Sequence, residues 1–167
     1  MTPAQSFDVN SFRKAMSSFP SGVTVVTTTD SDGVPWGFTA SAFCSVSAEP
    51  PLVLVCLSSS AQCHDAFMTA GEWAINIIHA DQVDLAMRFA TRGADKFEGD
   101  HFAHDRGIPE LSGAAVTMRC SRHAIYEEGD HIILVGQVRE ATTNEAEEPV
   151  VHFRREFVPL RPLSVVR

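Results

Sequence analysis

Small hydroxyl residues are threaded through an otherwise strand-like run: Gly37-Phe38-Thr39-Ala40-Ser41-Ala42-Phe43-Cys44-Ser45-Val46-Ser47, an apolar stretch after Pro50-Pro51, then Ser58-Ser59-Ser60-Ala61-Gln62-Cys63. A planar polar heterocycle needs small residues for close approach and a few donors at its edge, and Thr39, Ala40 and Ser41 supply both. Thr and Ser on a half-exposed strand need no ligand by themselves, because strand propensity already favours Thr. The serine run adds weight. Hydroxyls and free N–H groups between a buried strand and a helix suit a phosphate oxyanion, whereas a plain helix cap needs one serine. Lys96, in Asp95-Lys96-Phe97, is positioned to add a cation. Gly129-Asp130-His131 delivers a histidine from a turn to the start of a strand, where its ring can meet a planar ligand while Asp130 fixes the turn or the imidazole tautomer.

The elements that must carry these residues read as follows. Phe7, Phe12, Ala15, Met16 and Phe19 have the spacing of an amphipathic helix with Asp8 or Asn10 as its cap, ended by Pro20 and Gly22. Val23 to Thr29 and Trp36 to Ser47 form a hairpin about Asp30-Ser31-Asp32-Gly33. Leu52 to Leu57 is an apolar strand of the kind buried on both faces, followed by a helix near His64 to Ala70 and a strand over Trp73 to Ile78. A second helix runs from Asp81 or Gln82 to about Ala90, and a polar loop from Thr91 to Pro109 is long enough to suggest function. Ala115 to Tyr126, a turn at Glu127-Glu128-Gly129-Asp130, His131 to Ala141 and a final strand over Val150 to Phe157 complete the chain. Many strands with short turns and peripheral helices predict a mainly β, largely antiparallel barrel in one domain over 1–167.

Composition narrows the partners. A formal net charge of -8 argues against nucleic acid or an anionic membrane surface, which require clustered Lys and Arg, and favours a diffusible small molecule. No apolar run approaches the roughly 20 residues of a membrane span and the first residues lack signal-peptide character, so a cytoplasmic location is expected. Cys44, Cys56, Cys63 and Cys120 form no Cys-x-x-Cys pair and read as reduced thiols. His101 and His104 lack a third ligand and read as part of a solvated loop, with no metal expected. Dinucleotide, phosphate-loop and nucleophile-elbow fingerprints are absent, so a nucleotide would be held without a doubly wound fold.

In order and spacing, several segments together resemble the short-chain flavin reductase family: Phe19-Pro20-Ser21-Gly22-Val23-Thr24-Val25-Val26-Thr27-Thr28, Gly37 to Ser41, Ser45-Val46-Ser47, Pro50 to Leu54, Phe89-Ala90, Asp95-Lys96-Phe97, Gly129-Asp130-His131 and Gly136-Gln137-Val138. The resemblance implies the FMN-binding split-barrel fold and NAD(P)H-dependent hydride transfer to FAD or FMN, with no side-chain nucleophile. Reduced flavin would pass to a separate flavin-dependent monooxygenase. By the same resemblance Thr39, Ala40 and Ser41 contact the isoalloxazine ring, and Ser58, Ser60, Gln62 and Cys63 the phosphate region. Phe89, Ala90 and Lys96 lie on the ribityl or pyrophosphate side, His131 faces the nicotinamide, and Ser45 joins the cofactor-binding set. The chain departs from the family pattern at Cys63 and Ala42, where hydroxyl residues are common, and at Val151-His152-Phe153-Arg154. A non-enzymatic flavin carrier on the same barrel is the alternative, against which His131 speaks. The resemblance further implies a homodimer, with the N-terminal helix and Phe157 to Val166 as interface material. NADH is favoured over NADPH, whose extra phosphate would have only Arg154-Arg155 to meet it.

Overall fold

The computed structural model describes residues 7–104 and 106–160. Helix α1 (Val9–Ser17) is capped by Asp8, whose carboxylate accepts from the N–H groups of Asn10 and Ser11 and so pairs two donors the first turn leaves open. Then follow β1 (Ser21–Gly22), β2 (Thr24–Thr29), β3 (Pro35–Ala40), β4 (Phe43–Ala48), β5 (Pro51–Ser58), α2 (His64–Thr69) and β6 (Glu72–Ile77). A single 3-10 turn (Ala80–Gln82) enters α3 (Val83–Ala90), and the chain continues as β7 (Phe102–Ala103), β8 (Glu110–Leu111), β9 (Val116–Glu128), β10 (His131–Thr143), β11 (Val150–Phe153) and β12 (Glu156–Pro159).

Seven strands form one sheet in the order β3-β2-β6-β9-β10-β5-β4, with every neighbouring pair antiparallel. Strands β3 and β4 stand at opposite ends of that order, yet only Ser41 and Ala42 separate them in the chain. Three Cα steps from Ala40 to Phe43 span at most about 11 Å, so the two edges must lie side by side and the sheet closes into a barrel. The Cys56 N–H donates to the Ala42 carbonyl at 3.0 Å, so the crossing is tied to β5 one residue ahead of β4. The expected continuous strand from Trp36 to Ser47 is therefore two strands, broken where the chain steps from one edge to the other.

Alternation along β2 sends Val26 into the barrel interior with Phe38, Val55, Leu57, Trp73, Ile75 and Leu134, and Val25 to the outside beneath α3, with Val23, Ile78, Leu85 and Phe89. Two glycines are demanded by this packing. A Cβ on Gly37 would sit 2.5 Å from Phe89 Cε1 and 2.9 Å from the Val26 carbonyl, and one on Gly136 would sit 2.8 Å from Cys120 Cβ and 3.0 Å from Trp73.

Other elements differ from expectation for local reasons. Strand β5 is not buried on both faces: Val53, Val55 and Leu57 point inward, while Leu52, Leu54 and Cys56 are half-buried on the outer side. Strand β9 runs on through Glu127 and Glu128, leaving Gly129 and Asp130 as the turn, with Gly129 at φ 61°. The final strand is a hairpin, β11 to β12, folded at Arg154 (φ 50°) and Arg155 (φ 70°), both in the left-handed region. The loop from Thr91 to Pro109 contains β7, which pairs with β8. Residues 161–166 of the expected C-terminal interface lie outside the described residues. Helix α1 buries none of its residues; Phe12 is 50 % and Met16 54 % exposed, and Phe19 just beyond it 73 %.

Candidate functional site

The seam opens into a cleft of about 420 Å³ that collects residues from four parts of the chain. Strand β3 and the crossing supply Thr39, Ala40 and Ser41; the end of β5 and the following turn supply Ser58, Ser60, Gln62 and Cys63; α3 and its loop supply Phe89, Ala90 and Lys96; and β10 supplies His131. These are all the residues expected from sequence except Ser45. That residue pairs with Val53 on the β4 edge, where it is exposed and away from the cleft. His131 reaches the cleft because it stands directly opposite Ser58 in the β10–β5 register, and the Ser59 N–H donates to the Asp130 carbonyl at 2.9 Å.

Side-chain bonding separates positioning groups from available ones. The Thr39 hydroxyl donates to the Ala86 carbonyl at 2.5 Å, tying β3 to α3, so the donors this strand can offer a ligand are backbone groups and the Ser41 hydroxyl, which is exposed and has no partner among the described residues. Ser58 and Ser60 share one hydroxyl–hydroxyl contact of 3.0 Å. The Gln62 side-chain oxygen accepts from the Gly93 N–H at 2.7 Å and holds the α3 loop against the serine turn. Helix α2 is only six residues long and Cys63 makes no side-chain cap. Anion attraction at this end therefore depends on hydroxyls and cations more than on a helix dipole. Cys63 is 2 % exposed, and burial pushes its thiol and that of Cys56 up, which removes both as thiolate nucleophiles at neutral pH.

Lys96 is half-buried, donates to the Gly37 carbonyl at 3.0 Å and has no carboxylate partner among the described residues; burial pulls its ammonium below the ordinary lysine range. Arg92 also lines the cleft, exposed and without a partner among the described residues, and no acidic side chain lines it. Arg92 escaped the sequence reading because a loop arginine looks like any other; its one signal was its place just after Phe89-Ala90. His131 Nδ1 lies 2.7 Å from Asp130 Oδ1, and this hydrogen bond, helped by the His131 charge and by Arg13, holds the Asp130 carboxyl below the usual range. An ionised Asp130 accepts, so Nδ1 carries the proton and Nε2 is the nitrogen free for a ligand.

The cleft is thus apolar and small-sided at the seam, hydroxylated and cationic toward the serine turn, and free of opposing acids. A flavin nucleotide fits this donor set: Thr39 to Ser41 would lie beside the ring, Phe89 and Ala90 toward the ribityl chain, and Ser58, Ser60, Arg92 and Lys96 on the phosphate side.

Comparison with known proteins gives the same reading. The chain is 46 % identical over 154 residues to a Streptomyces coelicolor protein named actinorhodin polyketide dimerase, covering 92 % of this chain and 87 % of that one. It is 41 % identical over 150 residues to an NADH:riboflavin 5'-phosphate oxidoreductase of Streptomyces pristinaespiralis, covering 88 % and 85 %. It is 33 % identical over 164 residues to HsaB, the reductase subunit of a flavin-dependent monooxygenase in Rhodococcus jostii, covering 98 % and 84 %. The solved structure of the Streptomyces globisporus C-1027 NADH:FAD oxidoreductase SgcE6, in complex with NAD and FAD fragments, superimposes with a TM-score of 0.87 at 34 % identity, covering 96 % of this chain and 99 % of that one. Residues 16–161 match the model of the flavin reductase like domain, and the chain belongs to that family.

Proposed function

We propose that this protein is an NADH:flavin oxidoreductase that takes FAD or FMN at the barrel seam and delivers the reduced flavin to a separate monooxygenase. The observation that carries the reading is the seam itself, where the Ser41 hydroxyl and two cations, Arg92 and Lys96, that have no carboxylate partner among the described residues face a cleft whose other side is small and apolar. When bound, the flavin supplies the hydride-accepting chemistry. The protein's part is placement. Thr39, held by Ala86, fixes the strand that offers backbone donors and Ser41 to the polar edge of the ring. Ser58, Ser60, Arg92 and Lys96 take the phosphate side, and Gln62 keeps the loop bearing Arg92 in place through Gly93. His131, oriented by Asp130, stands at the mouth to receive the nicotinamide and bring the two rings together, which is where proximity contributes most. The cleft needs no nucleophile and its thiols are held protonated.

NADH is preferred to NADPH in this reading, because Arg154 and Arg155 line a separate cavity on the α1 side with Lys14 and line neither the seam cleft nor its neighbour. The exposed apolar face of α1 is assigned to a homodimer interface, since Phe12, Met16 and Phe19 are at least half exposed among the described residues. Among the described residues no helix is long and apolar enough to cross a membrane, in keeping with a cytoplasmic enzyme. The test is NADH oxidation followed with and without added FAD or FMN. Turnover that requires flavin is expected; none with either flavin overturns the proposal. Light scattering should give a dimer mass, and a monomer removes the interface assignment.

A further inference from the structure

Between two firm points, the loop after α3 carries a short segment that the protein holds lightly. At its start the Thr91 N–H donates to the Arg88 carbonyl at 3.1 Å and the Thr91 hydroxyl to the Met87 carbonyl at 2.8 Å. At its end Lys96 donates to the Gly37 carbonyl at 3.0 Å and lies 6.0 Å from the centre of the Phe89 ring. Phe97 follows, packed on Phe89 and Phe102 with ring centres 5.1 Å away in each case. From Arg92 to Asp95 a single hydrogen bond reaches the rest of the chain among the described residues: the Gly93 N–H donates to Gln62 Oε1 at 2.7 Å. None of these four residues is buried.

Both ends of that bond bear on the seam cleft. Gln62 belongs to the serine turn on one flank and Gly93 to the loop on the other, and Gln62 and Arg92 both line the cleft. Gly93 sits at φ 77°, in the left-handed region, with open space where a Cβ would be. One acceptor and one glycine's conformational freedom therefore hold a segment that carries Arg92. A lone hydrogen bond is worth roughly 2- to 13-fold in an equilibrium constant, so the segment opens at small cost while Thr91 and Lys96 stay anchored.

We infer that Arg92 to Asp95 form a gate on the phosphate end of the seam cleft and that Gln62 is its latch, acting through Gly93 to set how fast the flavin enters and leaves. The inference rests on the flavin reading of that cleft. Gln62 is a positioning residue in this role, because its side-chain oxygen is engaged by the loop. A protein that hands its product to a separate enzyme needs release as much as binding, and a gate held by one bond serves both.

The test is stopped-flow binding of FMN, followed by flavin fluorescence, to the wild type, Gln62→Leu, Gly93→Ala and Ser58→Ala. Gln62→Leu removes the acceptor, whereas Gly93→Ala leaves it and strains the latched backbone at the other end of the bond. Gln62 is exposed and Gly93 has room for a methyl group, so both variants should melt close to the wild type. Both should raise the association and dissociation rate constants together, by roughly 2- to 30-fold, with Kd moving less than either. Ser58→Ala removes a ligand contact and should raise dissociation alone. Amide exchange without flavin should show Gly93 deprotected in Gln62→Leu and the β5 amides unchanged. Faster dissociation at an unchanged association rate in Gln62→Leu would make Gln62 a phosphate contact and overturn the gate, and so would wild-type rates in Gly93→Ala. Failure of the flavin reading looks different: no FMN signal appears with the wild type, and the gate falls with it.

Discussion

Two regions of this barrel are rich in hydroxyls, and they do opposite things. On β2 the threonines are consumed by the fold: Thr24 donates to the Ala40 carbonyl at 3.0 Å, Thr28 to Glu72 at 2.7 Å, and Thr27 to the Pro109 carbonyl, all three buried. Beside them Asn76, fully buried, donates to the Val25 carbonyl and accepts from the Leu111 N–H and the Thr117 hydroxyl. At the seam, Ser41 has no partner among the described residues, and Ser58 and Ser60 have little more than each other. Hydroxyl density alone does not mark a site. What marks one is hydroxyl capacity left unspent, next to cations that have no carboxylate partner among the described residues. Thr39 sits between the two cases, facing the cleft but giving its proton to Ala86.

The contrast breaks most visibly at its structural end. Asn76→Leu orphans a buried N–H and a buried carbonyl at once and should lower unfolding free energy by about 3 kcal/mol or more in denaturant titration, with flavin affinity unchanged while the protein is folded. Lys96→Met reverses the pattern. Losing a charge-assisted contact should weaken flavin binding roughly 10- to 150-fold, read by flavin fluorescence titration, with no loss of thermal stability because a half-buried charge is removed. Thr28→Val should cost about 1 kcal/mol of stability and nothing in affinity, whereas Ser58→Ala should cost about 1 kcal/mol of flavin affinity and leave stability within about 0.5 kcal/mol. A Ser58→Ala variant as destabilised as Thr28→Val would erase the distinction.

The smallest effect is in pH. Burial lowers the Lys96 pKa from 10.5, so its proton is lost earlier as pH rises; flavin affinity should begin to decline below that value and not recover at higher pH. Lys96→Arg, which stays charged, should carry binding further into the alkaline range. Affinity flat to pH 10.5 in the wild type would show that Lys96 is not at the phosphate.

Much of this was legible in the chain, and the reasons differ by residue. The β-branched run of β2 and the turn at Gly129-Asp130 carry local signals, and the Asp8 cap is written in its residue type. Closure of the barrel is not local, because nothing in Ser41-Ala42 says that two residues join opposite edges of a sheet. The outcome for Thr39 depends on Ala86, 47 residues away. The hairpin at Arg154 and Arg155 was missed because Arg-Arg lacks the Asn-Gly signature of a tight turn. Ser45 joins the expected set through the family resemblance, and the β4 register places it outside the seam cleft.

Amide hydrogen exchange of the protein with and without saturating flavin puts the ligand in one region or the other directly. Protection confined to residues 39–42, 58–63 and 89–96, with the amides of β2 from Thr24 to Thr29 unchanged, is the result expected if the seam holds the flavin. Protection that appears elsewhere and spares Ser58 to Cys63 would contradict it.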